Sequence, residues 1–314
     1  MSVVLDEPMN AIAQQVSLLA GKLTAAAVVR AHEPLAKRTT LRVGGSADIY
    51  VEPASEADLT VTLRFVAEQA LPFFVLGRGS NLLIRDGGVR GVVISLTQPG
   101  FSQIEQEGWL LRCGAGARLK DVANEAKRKG IAGMEFLEGI PGSVGGALRM
   151  NAGAYGGAMF DIVDALRFMD HAGAVQEVPV ERVQAAYRSC PFFNTHIALG
   201  AVLKGRPGDR SSIERRMTEC SQKRWSSQPK APSAGCAFKN PREIPAGRLV
   251  QELNLKGARV GGAMVSLEHG NFIVTDSSAT ARDVLALMEL IKQRALAERG
   301  ITLESEVQII GSDV

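Results

Sequence analysis

This sequence predicts an α+β protein built from small domains, and three observations carry the prediction. The chain has 314 residues, about twice a typical domain, so two compact units or three small ones are expected. Short apolar runs of strand length alternate with helical segments and show no internal repeat. The last hundred residues combine strands with one clear amphipathic helix behind a polar linker. Apolar residues make up 46% and charged residues 22%, which is average for globular proteins and excludes disorder, collagen and coiled coil.

From the N-terminus, Ile12, Val16 and Leu19 give a weak helical pattern, followed by small residues at 25–27 and a turn-rich entry at 32–34. Residues 42–51 (RVGGSADIYV) predict strand, Gly-Gly turn, strand. A helix is expected over 55–71, because Ser55 with Asp58 forms a capping signal, Leu59, Leu63 and Val66 share a face, and Pro72 stops it. Residues 73–76 form a strand, GRGSN a loop, 82–84 a second strand, and 91–96 continue the sheet. A strand at 110–113 leads through a Gly114-x-Gly116 turn into a helix carrying Leu119, Val122, Ala123 and Ala126, closed by Gly130. Residues 138–157 hold seven glycines in twenty, which predicts a long loop lying against something. Strands are expected near 165–169 and 175–180, a helix-like run to Tyr187, and a strand at 197–203. The polar stretch 205–212 is the best linker, followed by a charged helix and strands around 262–274. The clear helix starts near Thr280, buries Val284, Leu287, Met288, Ile291 and Ala295, and ends at Gly300, with a closing strand at 307–310.

Lys plus Arg total 36 against 33 Asp plus Glu. The basic residues are scattered, which argues against a nucleic-acid binder. No apolar run approaches the roughly 18 residues of a membrane span. Asp6 and Glu7 stand where a signal peptide carries basic residues, so a cytoplasmic protein is expected. The four cysteines show no C-x-x-C spacing, so reduced thiols are expected and no metal site is assigned.

Four segments offer chemistry. GRGSN at 77–81 follows a strand, where bare backbone can hold an anion, or it is a tight turn; a strand follows it rather than a helix, which argues against a nicotinamide-type Rossmann domain. GIPGSVGG at 139–146 with MNAGAYGG at 150–157 lets main chain lie along a flat ring; Ile140, Val144, Leu148 and Met150 weigh against a free surface loop. In YRSCPF at 187–192 an arginine beside a tyrosine can clamp a carboxylate, or is a surface pair. SAGCAFKNP at 233–241 and LESEV at 303–307 offer a thiol in a Gly-bounded turn and a strand glutamate; separately, a small buried Cys and an edge Glu are commoner. The case rests on all four occurring together.

Taken in order, EPLAKRTTLRVGGSAD, VLGRGSNLLI, GAGARLKDVA, GMEFLEGIPGSVGGALRMNAGAYGG, YRSCPF, PSAGCAFKNP, AGRLVQELNLKGARVGGAMVSLEHGNFIVT and LESEVQIIG resemble the successive signature blocks of the UDP-N-acetylenolpyruvoylglucosamine reductases, over about residues 33–311. The resemblance implies a p-cresol-methylhydroxylase-type FAD-binding fold of two α+β subdomains with a C-terminal α/β substrate-binding domain. The boundaries implied are a lead-in at 1–30, FAD-binding subdomains at 31–100 and 101–207, and a substrate domain at 208–314.

By resemblance, the cofactor FAD meets Gly44 and Gly45, then Leu76, Gly77, Arg78, Gly79, Ser80, Asn81 and Leu82 at its pyrophosphate. Gly139, Ile140, Pro141, Gly142, Ser143, Gly145 and Gly146 lie along its ring, with Asn151, Ala152 and Gly153 beyond. The implied catalytic residues are Arg188, Cys236 and Glu306, and the substrate contacts Tyr187, Asn240, Lys256 and His269. The implied reaction is NADPH-dependent reduction of UDP-N-acetylglucosamine enolpyruvate to UDP-N-acetylmuramate for peptidoglycan precursor synthesis, hence for cell wall, shape and division. Arg188 and a protonated Glu306 would meet the developing enolate, and Cys236 would deliver the proton. A monomer meeting only small-molecule partners, without nucleic acid or membrane, is the corresponding expectation. Serine is usual at the position of Cys236, with cysteine an occasional substitute. The spacing from Arg188 to Cys236 resembles the shorter subclass, in which lysine usually precedes Gln-Pro. Here Ser227 precedes Gln228 and Pro229, and no diphosphate contact is assigned. The alternatives are another flavin oxidase or dehydrogenase on the same scaffold, which would not need SAGCAFKNP together with LESEV, and a non-catalytic UDP-sugar or flavin-binding module.

Overall fold

The computed structural model describes residues 6–313, with side-chain surroundings from residue 11; the first five residues of the 1–30 lead-in lie outside the described residues. Seven α-helices occur among these residues: α1 Asp6–Ala20, α2 Glu56–Glu68, α3 Leu119–Arg128, α4 Val144–Met150, α5 Arg210–Ser227, α6 Ala246–Glu252 and α7 Ala281–Arg299. The chain folds as two units. One contains the chain up to His32, Asp48–Gly77 and Gly91–Gln222, and the other Glu33–Ala47, Arg78–Arg90 and Lys223 onward.

The first unit holds two α+β layers. Its larger sheet is antiparallel, in the order Val175–Pro179, Val163–Asp170, His196–Lys204, Leu110–Gly114, Ile104–Glu107. Leu111, Leu166 and Leu203 from its strands close a core with Val122 of α3 and Val144 and Leu148 of α4. The second layer pairs Phe73–Leu76 parallel to Val89–Ser95, and Leu59, Leu63, Phe65 and Val66 of α2 pack with Val92 and Ile94. The expected α2 cap is present, with Ser55 Oγ accepting from the Asp58 amide at 3.2 Å. Buried Asp58 ties this layer to the preceding loop by accepting from the Thr24 amide and hydroxyl and from the Ala54 amide. Desolvation works to raise its pKa, and the hydrogen bonds from Thr24 and Ala54 outweigh that and hold it below the ordinary carboxylate value.

The second unit is a four-stranded sheet in the order Ser233–Cys236, Phe272–Thr275, Ala263–Val265, Arg259–Val260. Val284, Leu287, Met288 and Ile291 of α7 pack into the same core as Leu249 and Val250 of α6. The expected start and stop of α7 are present: Thr280 and Asp283 form a capping box and Gly300 closes it at φ +65°. Asp86 accepts from the Ala281 and Arg282 amides at 2.8 and 2.9 Å, placing a carboxylate on the positive end of α7. The closing strand Gln308–Ile310 runs parallel to Leu82–Ile84.

Four expectations are corrected. Residues 138–157 are not a long loop: α4 forms inside them, because Val144, Ala147 and Leu148 fall at i, i+3, i+4 and are buried. That burial outweighs the roughly 1 kcal/mol that each helical glycine costs. Residues 42–45 form no strand, since Gly44 and Gly45 lie against Ile84 and Gly88. Residues 32–34 finish the strand Val28–Pro34 rather than turn. The run to Tyr187 holds only a single 3₁₀ turn, Val180–Arg182, and Val183 alone among its side chains is buried, too little to hold a helix. The strand Ile104–Glu107, exposed along most of its length, and α6 have no counterpart in the sequence reading. No helix among the described residues is long and apolar enough to cross a membrane.

Candidate active site

In the first unit, two glycine-bearing segments meet. Gly77, directly after Phe73–Leu76, faces Ser143 and Gly146: a Cβ on Gly77 would lie 3.3 Å from Ser143 Oγ and 3.9 Å from Gly146 Cα, and a Cβ on Gly146 would meet only Ser143 Oγ at 3.7 Å. Bare backbone with room above it is what a flat ring or a pyrophosphate needs to approach. The neighbouring glycines are occupied by packing. The Tyr155 ring fills the space beside Gly139, and Ala115 Cβ would lie 3.0 Å from a Cβ on Gly145. Leu119 donates to the Gly142 carbonyl, Ile140 to Leu137, and Ala152 to Ala147. One residue before Gly139, Glu138 pairs with Lys120 at 3.2 Å while its Oε2 is buried with no hydrogen-bond partner. The open space and this waiting acceptor fit the flavin dinucleotide that the resemblance implies.

The same unit sets Arg188. Ala186 and Ser189 exchange two backbone hydrogen bonds, at 2.8 and 3.1 Å, so Tyr187 and Arg188 form the turn between them, with Arg188 left-handed at φ +57°. A non-glycine residue in that region costs about 1–2 kcal/mol, and three contacts hold it there. Arg188 Nη2 donates to the Gly153 carbonyl at 3.2 Å. Its guanidinium lies 4.8 Å from the exposed Tyr187 ring. Asn151, which closes α4 at φ +39°, donates from Nδ2 to the Ala186 carbonyl at 3.2 Å and accepts at Oδ1 from the Phe160 amide at 3.1 Å. The polar groups of Asn151 therefore bind the chain itself.

In the second unit, the GRGSN segment and the two chemical blocks converge. Gly79 at φ +62° packs against Arg38 and Thr39, and its carbonyl accepts from the Thr40 amide at 3.1 Å. Thr40 Oγ1 also donates to the Ser233 carbonyl at 2.6 Å. Asn81 donates from Nδ2 to the Glu306 carbonyl at 3.2 Å, and its own carbonyl accepts from Gln308 at 3.0 Å. Arg78 and Ser80 flank these contacts, and Leu76 and Leu82 are buried strand residues.

Ser233–Cys236 carries one extra residue against Phe272–Thr275, since Ser233 pairs with Val274 and Cys236 with Phe272. Gly235, left-handed at φ +77°, absorbs it, and a bulge of this kind re-aims the side chain beside it. Cys236 is the one half-buried thiol; Cys113, Cys190 and Cys220 are buried. Burial pushes the Cys113 thiol up to about 12, with Glu125 adding to the shift, and burial also raises Cys190, so both are inert packing residues. The Glu306 amide donates to the Ala237 carbonyl at 2.9 Å, and Phe238 bridges Ser305. LESEV is thereby laid along the residues that follow Cys236.

Of the substrate candidates, Lys256 Nζ reaches the Glu268 carbonyl at 3.5 Å, beside His269. His269 Nδ1 accepts from the Asn271 amide at 3.1 Å. Burial lowers the His269 pKa and the Lys256 charge lowers it further, so the ring is held neutral. Asn240 Oδ1 accepts from the Ala246 amide at 3.0 Å at the start of α6. The residue sequence reasoning missed is Asn271, 2% exposed, which grips the chain just after Cys236. Its one trace in the sequence is a lone amide at the mouth of the apolar run FIV.

The profile of the UDP-N-acetylenolpyruvoylglucosamine reductase C-terminal domain matches residues 228–310, and that of an FAD binding domain matches 47–179. The UDP-N-acetylenolpyruvoylglucosamine reductase of Clostridioides difficile is 41% identical over 91% of this chain and 94% of its own. That of Heliobacterium modesticaldum is 44% identical over 89% and 90%. A crystal structure of UDP-N-acetylenolpyruvylglucosamine reductase from Thermus caldophilus matches with a TM-score of 0.79 at 39% identity, covering 91% of this chain and all of that one.

Proposed function

The chain belongs to the UDP-N-acetylenolpyruvoylglucosamine reductase family, and on that premise we propose how its own residues divide the work. The protein is an FAD-containing oxidoreductase of p-cresol-methylhydroxylase-type fold that reduces UDP-N-acetylglucosamine enolpyruvate to UDP-N-acetylmuramate with NADPH. When bound, FAD supplies the relay that accepts hydride from NADPH and returns it to the terminal vinyl carbon of the enolpyruvyl ether. The net change adds that hydride to the terminal carbon and one proton to its neighbour, and releases NADP⁺.

In our reading, the cofactor is held by the bare backbone at Gly77, Ser143 and Gly146 and by the GRGSN segment. Negative charge builds on the substrate carboxylate as hydride arrives, and is costly in a site poor in water unless donors already face it. Arg188, preset by its left-handed turn, and the Glu306 carboxylic acid are those donors. Cys236 delivers the proton to the carbon beside the carboxylate. A thiol suits that task, since an ordinary cysteine is mostly protonated at neutral pH. Tyr187, Asn240, Lys256 and His269 contact the UDP-sugar in this reading. Domain limits at 31–100, 101–207 and 208–314, a monomeric state, a cytoplasmic setting and a role in wall growth, cell shape and division complete the proposal.

The observation that carries these assignments is the Glu306 amide seated on the Ala237 carbonyl, which ties the backbone of Glu306 to the residue directly after Cys236. The test is a visible spectrum of the purified protein followed by sequential addition of NADPH and the enolpyruvyl substrate. The oxidised band near about 450 nm bleaches with the first and returns with the second. Bleaching without return on the enolpyruvyl substrate would remove the assignment.

A further inference from the structure

We propose that Asn271 is a positioning residue for proton delivery, clamping the two residues after Cys236 and through them fixing Glu306. The inference rests on the reading that Cys236 and Glu306 carry that step.

Asn271 makes three hydrogen bonds to two consecutive residues. Its carbonyl accepts from the Ala237 amide at 2.8 Å. Its side chain pairs reciprocally with Phe238: Oδ1 accepts from the Phe238 amide at 2.9 Å and Nδ2 donates to the Phe238 carbonyl at 2.7 Å. The reason for an amide here lies in the bulge. The ladder between Ser233–Cys236 and Phe272–Thr275 slips by one residue at Gly235 and ends at Cys236. Beyond it, the Phe238 backbone would be left buried with a donor and an acceptor to satisfy, Phe238 itself being fully buried. A carboxamide presents the same donor and acceptor as a peptide group, so the Asn271 side chain extends the ladder past the break. Leucine would satisfy neither group; a carboxylate would satisfy the Phe238 amide and oppose its carbonyl.

The opposite edge of the gripped segment carries the acid. Ala237 accepts from the Glu306 amide and Phe238 bridges Ser305. Asn271 thus lies on one side of residues 237–238 and Glu306 on the other, with Cys236 at their head. Its own amide is spent on His269 Nδ1. Every polar group of Asn271 is committed to holding this array, and loosening it changes where the thiol and the carboxyl stand without removing either.

The test uses the FAD-loaded enzyme and compares Asn271→Asp, Asn271→Leu and Cys236→Ala. Flavin reduction by NADPH and substrate affinity, read from the flavin difference spectrum, should stay within about twofold in Asn271→Asp. Oxidation of the reduced enzyme by the enolpyruvyl substrate should slow by about tenfold or more. A second readout is independent of turnover: in the FAD-free protein, alkylation of Cys236 by iodoacetamide, followed by mass spectrometry, should change by about fivefold or more in Asn271→Asp, because the thiol is no longer held in one orientation. If Asn271→Leu does not fold, Asn271→Asp decides alone. An Asn271→Asp enzyme with both half-reactions and the alkylation rate unchanged overturns the proposal. So does one in which both half-reactions fall together, since that marks a structural role only. The Cys236→Ala control separates the two readings: if it leaves the oxidative half-reaction intact, the underlying assignment fails, and if it slows that step while Asn271→Asp does not, only the positioning role fails.

Discussion

The amide of Glu306 donates to the carbonyl of Ala237 at 2.9 Å, so the proposed acid and the proposed proton donor, seventy positions apart in the sequence, are separated by one hydrogen bond and one peptide unit. The Asn81 side chain holds the other backbone group of the same residue by donating to the Glu306 carbonyl at 3.2 Å. Three segments of the chain that carry no mutual periodicity are tied together at this point.

The first consequence concerns the thiol. Cys236→Ala should leave flavin reduction by NADPH at its wild-type rate and slow reoxidation by the enolpyruvyl substrate by about 10²–10⁴-fold, the usual contribution of a placed general acid. Cys236→Ser should keep useful activity, because a hydroxyl can stand in the same place. Stopped-flow absorbance at the flavin band separates the two half-reactions; equal slowing of both would contradict the assignment.

Glycines of the two kinds should respond in opposite ways. At Gly146 a Cβ meets only Ser143 Oγ at 3.7 Å. Gly146→Ala should therefore stabilise the cofactor-free protein by about 0.5–1 kcal/mol through helix propensity, while weakening FAD binding by about tenfold or more (~1.4 kcal/mol). Gly79 is left-handed, and a Cβ there would lie 2.7 Å from Thr39 Cα. Gly79→Ala should destabilise the fold by about 2 kcal/mol or more whether or not FAD is present. Thermal melts with and without added FAD distinguish the two.

Asn151 joins α4 to the turn that carries Arg188. Asn151→Gly keeps the left-handed backbone at φ +39° and loses both side-chain hydrogen bonds. The melting temperature should move little, while oxidation of the reduced flavin by substrate slows about tenfold, as expected for a misplaced clamp. Unchanged kinetics in this variant would detach Asn151 from Arg188.

A pH dependence follows from His269. Its folded pKa lies below the ordinary 6.5 because of burial first and the Lys256 charge second. Between the folded and unfolded values the unfolded chain binds the extra proton, so this residue's contribution to stability is complete above about pH 6.5 and declines as the pH falls below it. Protonation also removes the acceptor at Nδ1 that the Asn271 amide uses. In His269→Gln, whose side-chain oxygen still accepts, the melting temperature should fall less between pH 7 and pH 5 than in the parent. Parallel curves would show that another group governs the slope.

Much of the site was legible as residue type and little as placement. The Ser55 cap, the strand Phe73–Leu76, the C′ glycine at 130 and the limits of α7 at Thr280 and Gly300 stand where expected. GRGSN and SAGCAFKNP stood out in the sequence as candidate segments, yet Asn81 and Asn151, grouped with the cofactor from their blocks, spend their side chains on the Glu306 carbonyl and on the Ala186 carbonyl and Phe160 amide. The helix-like run before Tyr187 forms no helix because Val183 is its one buried residue, and a single buried position does not make a helical face.

Amino-acid order alone determined the family and the helices with clear boundaries, α2, α3 and α7, since a cap, a terminal glycine and an apolar stripe each depend on a few adjacent residues. Tertiary structure alone decided that α4 forms among glycines, that Gln308–Ile310 lies parallel to Leu82–Ile84, and that Asn271 grips residues 237–238. Burial energy and hydrogen-bond partners from distant parts of the chain fix those outcomes, and no spacing within one segment encodes them.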